Sequence, residues 1–86
     1  MKGEINMEEK IKSAANEIVK KISELPVGSE FVIGDYFDEY KFENEENFKL
    51  IKEVLSLCES SNVKIENTQA GMILGMPWVY KYKKNN

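Results

Sequence analysis

The sequence predicts an α+β domain. Apolar residues recur at helical spacing through most of the chain, then at every second residue near its end. The charge divides where the period changes. Residues 25–62 hold three Lys against nine Asp and Glu, whereas residues 63–86 hold four Lys against one Glu. An acidic helical portion is therefore followed by a basic hairpin.

Asn6-Met7-Glu8-Glu9 reads as a helix start, with Asn6 as N-cap and Glu9 at the capping-box position. Ile11, Ala14, Ala15, Ile18, Val19, Ile22 and Leu25 then form one apolar face. Pro26 stops this helix, because its ring pushes Leu25 out of the αR region. Leu25-Pro26-Val27-Gly28-Ser29 reads as a turn with Gly28 at positive φ. Glu30-Phe31-Val32-Ile33 reads as a short strand, and residues 34–40 as a brief second helix presenting Tyr36, Phe37 and Tyr40.

After a link at 41–43, Asn44 is the expected cap of a third helix, with Glu45 and Glu46 in the first turn complementing its dipole. Phe48, Leu50, Ile51, Val54, Leu55, Leu57 and Cys58 give it a wide apolar stripe, so the expectation is a largely buried helix. Asn62 is the expected αL residue at its end. Val63, Ile65 and Asn67 alternate with Lys64, Glu66 and Thr68, and Trp78, Tyr80 and Tyr82 alternate with Val79, Lys81 and Lys83. These are two hairpin strands. Residues 84–86 are expected to fray.

The bulk properties bound the function. Eighty-six residues make one domain, 1–86, whose composition is that of a globular protein. No apolar run approaches the ~20 residues of a membrane span. Glu4, Glu8 and Glu9 stand where the apolar core of a signal peptide would begin. The single Cys58 fits a reducing compartment, so the expected location is the cytoplasm. With no His and one Cys, a Cys/His zinc site or a Ser/Cys–His nucleophile system is excluded. The expectation is a protein without enzymatic activity, cofactor or metal. All twelve basic residues are Lys, so bidentate Arg–guanine readout is excluded too.

The element order (helix, short strand, short helix, long helix, hairpin) is that of a winged helix-turn-helix domain, with a three-stranded antiparallel sheet and a C-terminal wing. Its expected core contains Ile18, Ile22, Phe31, Phe37, Ile51 and Leu55. Leu25-Pro26-Val27-Gly28-Ser29-Glu30-Phe31, followed by Asp35-Tyr36-Phe37, also resembles a family. It is similar to the Leu-Pro-x-Gly-x-x-Phe … Asp-x-Phe opening of small winged-helix proteins from low-GC Gram-positive bacteria. These include relaxosome accessory proteins of clostridial conjugative plasmids. The resemblance covers this short stretch and the element order. It implies a dimer on a mobile element that binds double-stranded DNA through the wing. The chain departs from that pattern in lacking Arg and in the apolar tip of its hairpin.

Four groups carry the functional expectations. Lys64, Lys81, Lys83 and Lys84 form a basic edge able to contact phosphates, or else an ordinary solvated strand face. Asn67, Thr68 and Gln69 either read base edges in a minor groove or satisfy the backbone of the hairpin turn. Trp78, Tyr80 and Tyr82 form the core face of their strand, with base stacking the alternative. Met72, Ile73, Leu74 and Met76 form an apolar tip: a homodimer contact, a protein-partner surface, a set of DNA wedges, or a loop folded onto the core. The third helix carries Lys49, Lys52 and Ser56 outward, but Glu45 and Glu46 at its start would repel phosphate.

The function expected from these readings is a small DNA-binding protein of a mobile element, acting through its wing. The alternative is a protein–protein adaptor with the same fold, which the acidic isoelectric point of about 5.0 favours.

Overall fold

The computed structural model describes residues 6–68, 78 and 80–86. Gln69, Met72, Ile73, Leu74 and Met76, named above for base reading and for a partner interface, lie outside the described residues.

The first helix, α1, is Met7–Ser23. Asn6 Oδ1 accepts the Glu9 backbone N–H at 2.8 Å, as the capping pattern requires. Ile11, Ala14, Ala15, Ile18, Val19 and Ile22 are its buried residues, and Leu25 beyond it is half-buried. Before Pro26 the chain tightens, with Leu25 N–H donating to Ile22 O at 3.0 Å. Gly28 takes φ 91°, a conformation in which a side chain is strained. Its N–H donates to Lys84 O at 2.7 Å, and Lys84 N–H donates to Ser29 O at 2.8 Å, so this turn is tied to the far end of the chain.

Strand β1 is Glu30–Val32. The α-helix expected over 34–40 is not formed. A 3₁₀ helix runs over Ile33–Tyr36, and tight turns follow: Phe37 N–H donates to Gly34 O at 2.9 Å and Tyr40 N–H to Phe37 O at 3.0 Å. So short a segment cannot offset the cost of nucleating an α-helix, and Gly34, Asp35 and Asp38 are poor helix formers. Lys41, at φ 56°, then turns the chain toward the second α-helix.

That helix, α2, is Asn44–Ser60. Its N-cap is Glu43, one residue earlier than expected, because Glu46 Oε1 reaches back to accept the Glu43 N–H at 3.0 Å. Leu50, Ile51, Val54 and Cys58 are buried against α1. The stripe is narrower than the sequence suggests: Leu55, at its edge, is 36% exposed, and Phe48 is 41% exposed. Leu55 therefore does not belong to the core, although Ile18, Ile22, Phe37 and Ile51 do, with Phe31 packed against them. At the C-terminus Asn62 takes φ 60°. Val63 N–H reaches Cys58 O at 2.8 Å and Asn62 N–H reaches Glu59 O at 3.2 Å. These are the two bonds of a Schellman cap.

Strands β2, Ile65–Asn67, and β3, Lys81–Lys84, complete an antiparallel sheet of order β1-β3-β2. Among the described residues the fold is thus α+β, with two α-helices and one small three-stranded sheet, in place of the three helices expected. β3 begins later than the alternation predicts. Trp78 is instead buried, its ring edge-on to Phe48 at 4.9 Å and tilted against Phe37 at 6.2 Å. Tyr82 is also buried, stacked on Phe31 at 6.2 Å, and Tyr80 is half-buried.

The last residues do not fray as expected. Asn86 Oδ1 accepts Lys64 N–H at 2.9 Å and its Nδ2 donates to Asn62 O at 2.7 Å. Asn85 N–H donates to Lys64 O at 2.7 Å.

Two consequences are measurable. A Cβ on Gly34 would stand 2.8 Å from the Trp78 carbonyl oxygen and 2.9 Å from its ring. Gly34→Ala should therefore lower stability by about 1–3 kcal/mol, read as a shifted urea midpoint at unchanged slope. Burial pushes the Cys58 thiol up to about 11 from 9.0, so the reactive thiolate is suppressed near pH 8. A thiol reagent at that pH should label the native protein far more slowly than the urea-unfolded chain; equal rates would place Cys58 at the surface.

Candidate functional site

The sheet has two chemically different faces, set by its register. Residues directly opposite one another in antiparallel strands project to the same side. Phe31, Tyr82 and Asn67 form one cross-strand row, and Tyr82 in it faces the core. Lys84 and Ile65 form another row on this inner side. The outer face carries Glu30, Lys83 and Glu66 in one row, and Val32 opposite Lys81 in the next.

The four lysines expected to make one basic edge are therefore separated. Lys84 is only 7% exposed and points inward, with Nζ donating to the Asn86 carbonyl. Its alternation with Lys83 puts it on the Tyr82 side of β3, which removes it from the outer surface. Lys83 is exposed, but its cross-strand neighbours on both sides are carboxylates. Lys81 and Lys64 are exposed, and the Lys64 backbone is held by Asn85 and Asn86. Asn67 and Thr68 are exposed. Thr68 donates to the Lys81 carbonyl through its N–H at 3.0 Å and its hydroxyl at 3.4 Å, which satisfies hairpin backbone.

A second surface was not legible as a site in the sequence. On α1, Glu9, Lys10, Ser13, Ala14 and Glu17 line one wall of an open cleft of about 580 Å³. Residues at this spacing share one side of a helix. Glu39, Tyr40 and Phe42 form the opposite wall. The Tyr40 and Phe42 rings stack at 5.8 Å and 15°, with Lys41 in the left-handed region between them. Tyr40 Oη donates to Glu17 Oε1 at 2.5 Å, and Lys21 Nζ bridges to Glu39 Oε1 at 3.0 Å. Burial, and then the bond to Glu17, hold the Tyr40 phenol well above its ordinary range. The hydrogen bond and charge of Glu39 raise the Lys21 ammonium.

The available signal for this cleft was aromatic density: Tyr36, Phe37, Tyr40 and Phe42 fall within one short acidic stretch. Only Phe37 among them is fully buried.

Among the described residues, no group of three His, Cys, Asp or Glu is placed to hold a metal ion, and no helix is long and apolar enough to cross a membrane. No family model, curated protein or solved structure matches the chain.

The register makes the charge on the outer face testable. Glu30→Gln combined with Glu66→Gln should leave Lys83 without its two flanking carboxylates. That variant should gain salt-dependent binding to a mixed-sequence duplex at low ionic strength, beyond anything the parent shows. Its log-affinity should fall with log salt by about 0.9 for each phosphate neutralised. A variant that binds no better than the parent would mean the glutamates do not govern this face.

Proposed function

We propose that this chain is a small winged-helix-like module that works by binding a protein partner and performs no chemistry of its own. The layout supports the fold reading: helix, strand, tight turn, helix and hairpin, with the first strand beside the last. In this reading the 33–40 segment is a second helix reduced to a 3₁₀ turn. The row Glu30–Lys83–Glu66 carries the functional reading, because it places carboxylates on both sides of the most central lysine of the wing. Glu43, Glu45 and Glu46 at the start of α2 add negative charge where a recognition helix would meet phosphate.

DNA binding through the hairpin is the second reading, as for an accessory protein or regulator of a mobile element. The strand order favours it, as do Lys64 and Lys81 at the surface and the resemblance of the 25–37 stretch to wing-led DNA binders.

Fluorescence anisotropy with a mixed-sequence duplex at low ionic strength separates the two. The proposal expects no saturable, salt-dependent binding by the parent protein. Saturable binding that is lost in Lys81→Glu with Lys83→Glu, and retained in Lys49→Ala with Lys52→Ala, would replace it with the DNA reading. Equal losses in both pairs would indicate helix-led docking.

A further inference from the structure

We propose that the cleft between α1 and the 39–42 turn is the docking site for an extended, Lys- or Arg-bearing segment of a partner protein. The inference rests on the protein-partner reading above and names the place and the chemistry of the contact.

Three features favour this occupant. The cleft, at about 580 Å³, lies within the ~300–1,000 Å³ typical of ligand-holding clefts. Its lining charges are Glu9, Glu17 and Glu39 against Lys10, and with Glu39 paired to Lys21 the balance remains negative, so a cation is favoured over a phosphate. Its aromatic wall is the Tyr40–Phe42 stack, whose rings offer apolar surface to a side-chain stem and a π-face to its cationic head.

The carboxylates are also oriented before any partner arrives. Glu17 is held by the Tyr40 hydroxyl and Glu39 by the Lys21 ammonium. A group fixed in place loses less freedom on binding, so more of the contact appears as affinity. Ser13 and Ala14 keep the helical wall low, which lets an extended backbone approach. An acidic segment would meet carboxylates along both walls. A second copy of this chain carries a net charge of −3, which disfavours it as the general occupant.

The test is an NMR titration of the whole chain with three short blocked peptides of equal length. The first alternates Lys with Leu, the second Glu with Leu, and the third Gln with Leu. The Lys–Leu peptide should move the amide signals of Ser13, Glu17, Tyr40 and Phe42 saturably, and the Glu–Leu peptide should not. Glu17→Gln should weaken the Lys–Leu peptide several-fold. Ser13→Trp, at an exposed helical position that fills the cleft, should weaken it at least tenfold. A thermal melt confirms that each variant is folded.

Three outcomes overturn the site: shifts spread equally to Glu43 and Glu45 on α2, unchanged affinity in both variants, or a Gln–Leu peptide that binds as well as the Lys–Leu one. Sedimentation of the free protein tests the second-copy alternative; a dimer lost in Ser13→Trp would assign the cleft to self-association and overturn the partner-segment assignment. Failure of the peptide titration alongside a negative duplex titration removes the cleft and leaves the protein-partner reading standing. Saturable duplex binding removes that reading itself.

Discussion

The backbone of Lys81–Lys84 hydrogen-bonds on both sides, to β1 at one edge and to β2 at the other. This central position of β3 governs much of the molecule. Its Tyr82 row reaches Phe31 and seals the sheet onto the helices. Its C-terminal end anchors the Gly28–Ser29 turn and, through Asn85 and Asn86, the exit from α2. Because side chains alternate along a strand, the same pairing sends Lys83 out between two glutamates and Lys84 inward. The electrostatic character of the sheet surface is therefore a consequence of register.

The helical layer shows a complementary asymmetry. α1 buries six residues on one continuous face, whereas α2 buries four. A domain of this size has few elements with which to cover a wide apolar stripe. α1 occupies the Leu50–Ile51–Val54–Cys58 side of α2, leaving Leu55 at the margin. Phe48 is partly exposed yet contributes an edge-on contact to Trp78, so exposure and packing coexist in one ring.

The segment between the sheet and α2 links fold to surface chemistry. An α-helix over 34–40 would have set Tyr36, Phe37 and Tyr40 on one side. The 3₁₀ turn instead buries Ile33 and Phe37, and the tight turns that follow carry Tyr40 and Phe42 against α1. Placing the two rings beside Glu17 turns an irregular connection into one wall of a cleft. In the proposed role, Glu9, Glu17 and Glu39 on this surface would attract a cationic protein segment, which is how fold and proposed role connect.

Sequence alone determined the features that depend on one element and its immediate neighbours. Asn6 caps α1, the Ile11–Ile22 face is the buried one, Gly28 and Asn62 take positive φ, and a period of two marks the terminal strands. Each follows from local sterics, capping chemistry or the face a single element must hide. Tertiary structure decided what stands opposite what. Glu30, Lys83 and Glu66 are distant in the chain, and no local period reports that they share a row. The burial of Lys84, the exposure of Leu55 and the approach of Tyr40 to Glu17 likewise depend on which surfaces meet. Periodicity identifies the faces of an element, but the partner that covers each face is chosen by packing across the whole domain.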